Sequence, residues 1–170
     1  YTYFELLNTL NVWNIDYIKV EYIQPQNGYV LTKDEPLMIE GENWEAGSGV
    51  SNDTSTTASG SSNVGHTDFG DYFTYTLDVE EKGIYLATLR VACGNTVGAP
   101  NGIRIVSENM GYTIASVPVT GGWQTYVDVQ VELKLLAGKQ TLKFAADYEG
   151  WNLDYFTISY IGDISNAATM

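Results

Sequence analysis

Glu40 and Glu42 stand two residues apart in Leu37-Met38-Ile39-Glu40-Gly41-Glu42-Asn43-Trp44, a short apolar run that ends in carboxylates. On an extended chain, side chains at i and i+2 share a face. The two carboxylates then repel unless a cation or hydrogen-bond donors compensate. Calcium takes about six to eight oxygens, carboxylates mixed with carbonyls, so the pair reads either as part of a calcium site or as two solvated charges. A second set joins indoles to an amide. Trp123 follows the glycine pair of Thr120-Gly121-Gly122, and Trp151-Asn152 follows Tyr148-Glu149-Gly150. Sugars offer C–H faces to aromatic rings and hydroxyls that need both donors and acceptors, and an Asn amide supplies both. Each indole is either a platform for a pyranose or a lid folded onto the core, and spacing alone leaves both open.

Catalytic chemistry has little to draw on. The chain has one histidine, His66, and one cysteine, Cys93. Any Ser-His-Asp or Cys-His triad must run through His66, and no Gly-x-Ser-x-Gly elbow presents a nucleophile. Zinc sites need His and Cys clusters that this composition lacks. Carboxylates are so numerous that a glycosidase-like pair among them carries no information. The chain is read as non-catalytic. Its formal net charge of −13 argues against nucleic acid and anionic membranes as partners. No run of about 18 apolar residues offers a membrane span. A single cysteine makes no internal disulfide, and Cys93 falls on the apolar face of a strand, where an inert buried thiol is expected.

The elements that must position these residues are strands. After Trp123, residues Val127, Val129, Val131, Leu133 and Leu135 alternate with Asp128, Gln130, Glu132 and Lys134, the period of a half-buried strand. The same alternation runs through residues 72–79, where Phe73, Tyr75, Leu77 and Val79 face in and Tyr72 faces out, and through residues 85–93. Weaker strands are expected at residues 102–106 and 113–119, and others at 140–146 and 153–160. Residues 47–62, almost all Gly, Ser, Thr, Asn and Asp, read as a surface loop, and residues 94–101 as another. About nine short strands without a helical period predict an all-β fold, an antiparallel β-sandwich of jelly-roll type.

The first residues contain an echo. Trp13-Asn14-Ile15-Asp16-Tyr17-Ile18-Lys19-Val20-Glu21-Tyr22-Ile23 matches Trp151-Asn152-Leu153-Asp154-Tyr155-Phe156-Thr157-Ile158-Ser159-Tyr160-Ile161 at the Trp, the Asn, the Asp, both Tyr and the final Ile. One strand repeated once is not a solenoid. Residues 1–23 read as the closing strand of a preceding related module, 24–35 as a linker, 36–162 as the complete domain and 163–170 as a tail. The N-terminal strand is expected to pair with a sheet edge of this or a neighbouring molecule.

Seven motifs in order, from Leu37 to Ile161, resemble the family 6 carbohydrate-binding modules, with family 35 modules as a weaker likeness. They are Ile39-Glu40-Gly41-Glu42-Asn43, Asn63-Val64-Gly65-His66, Phe69-Gly70-Asp71-Tyr72, Gly83-Ile84-Tyr85, Leu89-Arg90-Val91-Ala92, Thr120-Gly121-Gly122-Trp123-Gln124-Thr125 and Asn152-Leu153-Asp154-Tyr155. The resemblance implies a secreted, non-catalytic module that targets a glycoside hydrolase to a polysaccharide. It implies a structural Ca2+ held by Glu40, Glu42, Asp154 and a carbonyl near Ser62. It implies a sugar site built on Trp123 and Asn152, with His66 where the family usually carries a second aromatic. Trp151 is an alternative platform, and Tyr72 marks a possible second site on a sheet face. The rival reading is a structural or interaction domain whose sugar site has decayed, and His66 is its motive.

Overall fold

Alternation of buried and exposed side chains organises the strands of the computed structural model, which describes residues 28–164. Twelve strands follow in chain order: β1 (Tyr29–Leu31), β2 (Leu37–Glu40), β3 (Ala46–Ser48), β4 (Ser51–Thr54), β5 (Ser62–Gly65), β6 (Tyr72–Val79), β7 (Gly83–Cys93), β8 (Ala99–Ser107), β9 (Gly111–Val117), β10 (Gly122–Leu135), β11 (Gly138–Ala146) and β12 (Asn152–Gly162). β6 buries every second residue, Phe73, Tyr75, Leu77 and Val79. On β10, Leu133 and Leu135 are buried and the three valines half-buried, because β10 is an edge strand.

Two six-stranded sheets face each other. One runs β1-β6-β11-β8-β9 with β3 also on β6, and the other runs β10-β7-β12-β5-β4 with β2 also on β12. Every ladder is antiparallel except β1 on β6. This is the expected antiparallel sandwich. Between the sheets, Phe73 stacks on Phe144 at 5.3 Å, and Tyr75 meets Phe156 edge-on at 5.0 Å. Offset and edge-on pairs of this kind add about 0.5–1.5 kcal/mol each beyond the area they bury.

β12 carries the feature that shapes both ends of the site region. Its register against β7 shifts between Leu153 and Tyr155, so Asp154 is an extra residue in the ladder, a bulge that breaks the alternation. Trp151, Asn152, Leu153 and Asp154 are consequently all buried. A 3-10 turn, Gly41–Asn43, nests on this bulge. Only glycine fits there: a β-carbon at Gly41 would run into the Leu153 carbonyl oxygen and lie 2.8 Å from that of Asp154. The buried Tyr75 hydroxyl donates to the Gly41 carbonyl at 2.6 Å, which satisfies the phenol and pins the turn. Burial holds the Tyr75 hydroxyl well above the usual phenol range.

Three expectations are revised. Residues 47–62 are not a plain surface loop: β3 and β4 pair through backbone with β6 and β5, and Ser59–Ser61 makes a second 3-10 turn. Ladders need no large side chains, so small-residue composition concealed them. Within the supposed linker 24–35, Tyr29–Leu31 is a strand of the sandwich, with Tyr29 and Leu31 buried and Val30 exposed. The loop expected at 94–101 ends early, since β8 begins at Ala99. The strand expected at residues 1–23 and most of the tail lie outside the described residues.

Gly41→Ala is predicted to lower stability by about 1–3 kcal/mol, the usual cost of overpacking against a backbone that cannot yield. Urea unfolding measures it, and an unchanged midpoint contradicts the nested turn.

Candidate functional site

At one end of the sandwich, β4, the first residues of β10 and the turns before β6, β8 and β12 surround a cleft of about 650 Å³. Trp123 forms one wall. The turn before it is fixed by Gly121, at φ 85°, and by Thr120, whose backbone N–H donates to the Cys93 carbonyl while its Oγ1 accepts the Cys93 N–H at 2.8 Å. The indole rests on glycine: a β-carbon at Gly94 would stand 2.6 Å from Cδ2 and Cε2 of the ring. Yet 47% of Trp123 remains exposed. The indole is therefore seated on the backbone with much of its ring open to the cleft, not folded onto the core.

Asn152 braces that wall. Its Nδ2 donates to the Trp123 carbonyl at 2.8 Å, and the residue is only 5% exposed. Oδ1 is then the end left for the cleft. His66, also on the lining, has φ 55°, a left-handed conformation that His tolerates better than bulky residues. Its Nε2–H donates to Asp53 Oδ1 at 2.9 Å while the ring stays largely exposed. A third member of the wall, Thr67, ties two turns together by donating to the Trp151 carbonyl at 2.7 Å and accepting the Trp151 N–H at 2.9 Å.

Trp151 itself is not a platform. Its indole is fully buried, packs 6.1 Å from Phe73 and donates Nε1–H to the Tyr148 carbonyl at 3.0 Å. The bulge at Asp154 puts it in the core. Tyr72 faces outward as the alternation predicts, but Lys143 Nζ lies 4.1 Å from its ring centroid, covering one stacking face of the supposed second site. Sequence reading passed over Asp53, Asn95 and Glu149, which also line the cleft. The Asn95-x-x-Gly98 turn was the available signal for Asn95: its Oδ1 accepts the N–H groups of Val97 at 3.0 Å and Gly98 at 2.6 Å, a local Asx pattern. Cys93 is buried and free, as expected, with Sγ 3.0 Å from the Gly150 carbonyl oxygen.

The carboxylates meet behind the Gly41 turn. Glu42 lies in that 3-10 turn rather than on an extended strand, yet both glutamates reach Gly60, whose β-carbon position is 2.9 Å from Glu42 Oε1 and 3.9 Å from Glu40 Cδ. Ser59 bridges Glu40 to Asp154: its Oγ donates to Glu40 Oε1 and its N–H to Asp154 Oδ1, both at 2.7 Å. Arg90 Nε sits 3.4 Å from Asp154 Oδ2. Burial, with repulsion from Glu40 and Asp154, holds the Glu42 carboxyl above its ordinary range. Burial and Glu40 raise Asp154 in the same way, against the Ser59 N–H and Arg90. Among the described residues no three Asp, Glu, His or Cys side chains form a ready-made metal cage. Glu40 Oε2 and Glu42 Oε2, however, are buried without any partner. Two orphaned, buried carboxylate oxygens are the donor chemistry of a hard cation such as Ca2+, so the residues fit one. The backbone beside them is that of Ser59 and Gly60. The Ser62 hydroxyl donates to the Asp53 carbonyl at 3.1 Å.

The sequence model described as carbohydrate binding module (family 6) matches residues 40–160. No curated protein matches the chain. Among solved structures, the C-terminal family 6 module of a marine laminarinase from Zobellia galactanivorans is 26% identical with a TM-score of 0.64, over 74% of this chain and 99% of that one. A family 6 module of Cellvibrio mixtus lichenase 5A, solved with cellotriose, is 29% identical with a TM-score of 0.61, over 74% and 97%. A Clostridium cellulolyticum family 6 module, solved with xylose, is 28% identical with a TM-score of 0.60, over 72% and 96%.

The raised carboxyls set a pH dependence for the cation-free protein. A carboxyl whose folded pKa lies above its unfolded value, about 4, stabilises fully below that value and loses the contribution as pH rises through the folded pKa. Glu42→Gln is therefore predicted to raise the urea midpoint of cation-free protein at pH 7, and the gain should close as pH falls toward about 4. A gain that is absent at pH 7, or that grows on acidification, contradicts the crowding of these carboxylates.

Proposed function

Because the chain belongs to family 6 of the carbohydrate-binding modules, non-catalytic sugar-binding β-sandwiches, we propose that it holds a secreted glycoside hydrolase on a polysaccharide, stacking one sugar ring on Trp123. The observation that carries this reading is the half-exposed indole seated on Gly94 and braced by Asn152. A rigid platform loses little side-chain freedom when a ligand stacks on it, so more of the stacking energy remains as affinity. Asn152 Oδ1 accepts a sugar hydroxyl, and Asn95, whose Oδ1 is engaged by backbone N–H groups, offers Nδ2 as a donor. The relatives solved with cellotriose and with xylose bind neutral sugars, and a neutral or non-acidic glycan suits a chain of formal charge −13.

His66 replaces one face of a two-sided aromatic clamp with a smaller ring hydrogen-bonded to Asp53, so stacking is one-sided and polar contacts carry more of the selectivity. What favours this reading over an interaction domain with a decayed site is the preserved support around the platform: Gly94, Gly65 and Asn152 all keep their close packing. Binding by one module of this kind is modest, and repetition in a longer protein would raise it through avidity.

Ca2+ is the second part of the proposal. Glu40 and Glu42 supply the orphaned oxygens, and the Ser59–Gly60 backbone and Asp154 complete the surroundings. A bound ion would offset the repulsion among the three carboxylates, which belong to β2, the Gly41 turn and β12.

Affinity electrophoresis through xylan, β-glucans, agar and mannan tests the sugar site. The intact module is expected to be retarded on at least one, and Trp123→Ala to weaken binding about tenfold or more while remaining folded, as for loss of an aromatic anchor. No retardation on any polysaccharide favours the interaction domain instead. Chelation is expected to lower the melting temperature by several degrees, and an unchanged melt rejects the structural ion.

A further inference from the structure

The cleft beside Trp123 is acceptor-rich, and its chemistry narrows the class of sugar; this inference rests on the sugar-binding reading above. Its lining carries three carboxylates, Asp53, Asp68 and Glu149, against one histidine and no lysine or arginine. Two acceptors are fixed in place. Asn152, 5% exposed, commits Nδ2 to the Trp123 carbonyl, and its Oδ1 has no partner among the described residues. Asp53 commits Oδ1 to His66, which leaves Oδ2. These two oxygens flank the same face of Gly65: a β-carbon there would lie 2.8 Å from Asn152 Oδ1 and 3.0 Å from Asp53 Oδ2. Gly65 is what lets them come so close to the backbone and to each other.

The side-chain donors on the lining include neutral amides: Asn95 Nδ2 on the Gly150 side of the cleft and Gln124, whose Oε1 accepts the Tyr126 hydroxyl. A carboxylated or sulfated sugar entering here meets repulsion from three negative groups. A protonated amino group meets attraction, and it carries several N–H donors for two waiting acceptors. We propose that the cleft binds amino sugars bearing a free, protonated amino group, the ammonium lying between Asn152 Oδ1 and Asp53 Oδ2 while the ring stacks on Trp123. Glu149 and Asp68 add to the field without touching the amino group. A neutral sugar binds in the same pose through a hydroxyl and gains less.

Calorimetry with three trimers of the same β-1,4 linkage separates the contributions: glucosamine, glucose and N-acetylglucosamine. The glucosamine trimer is expected to bind at least about fivefold more tightly than the glucose trimer at low ionic strength, in the range of a partly screened charge contact. That advantage should shrink in about 0.5 M NaCl, where screening is strong. Asp53→Asn is expected to weaken the glucosamine trimer more than the glucose trimer, and Glu149→Gln to do so to a smaller degree. Glu132→Gln, an exposed carboxylate on β10 outside the cleft, controls for overall charge and should change neither. Equal or weaker binding of the glucosamine trimer overturns the inference, as does a loss from Glu132→Gln as large as that from Asp53→Asn. If the glucosamine trimer does not bind at all, the inference falls, while retardation on neutral polysaccharides decides the sugar-binding reading separately.

Discussion

The contact on which the most depends is the nesting of the Gly41 turn on the backbone bulge at Asp154. Without the extra residue in β12, the period-2 rule would send one of each neighbouring pair to solvent. With it, four consecutive residues are buried and serve different ends. Trp151 and Leu153 join the core, Asn152 braces Trp123 at the cleft, and Asp154 joins the glutamates behind the turn. One irregularity thus couples the cleft end of the sandwich to its acidic cluster. The coupling is mechanical, since Gly41 cannot accept a β-carbon and Tyr75 holds its carbonyl.

Electrostatics follows from the same arrangement. The chain gathers carboxylates at two places, behind the turn and around the cleft, and spends its few cations sparingly. Arg90 lies between regions, near Asp154 and Asp128 and 5.8 Å from the Tyr126 ring centroid. Arg104 is committed to Asp147 through several charge-assisted hydrogen bonds. The cluster behind the turn is therefore left with two carboxylate oxygens unpartnered, a cost that a bound divalent ion would remove. The cleft keeps its charge exposed to whatever enters. The same excess of acid thus acts at two places: on the buried glutamates behind the turn and on the open cleft at the mouth.

Much of this was legible in the chain. Alternation through residues 72–79 and 127–135 identified the strands and their inner faces, because a half-buried strand must alternate. The glycine pair before Trp123 identified a turn that presents an aromatic. What escaped was set by backbone. β3 and β4 pair through N–H and C=O groups of small polar residues, which leave no hydrophobic trace. Trp151 looked like Trp123 in its setting after a glycine, and only the bulge three residues on decides that one indole is core while the other stays half-exposed. Glu40 and Glu42 share a neighbourhood for a reason other than strand periodicity, since the 3-10 turn rather than an extended chain brings them to Gly60. Asp53 was hidden in a stretch that reads as a loop, and it is the residue that holds His66.

The central claim is that Trp123, and not Trp151, is the surface on which a sugar lies. The indole N–H signals of the four tryptophans, assigned by substitution in a 15N-labelled sample with Ca2+ present, test it most directly. Titration with a binding oligosaccharide should shift the Trp123 signal strongly and leave that of Trp151 near its starting position, its N–H being engaged by Tyr148. A shift centred on Trp151, or bound oligosaccharide with no change at Trp123, would contradict the account.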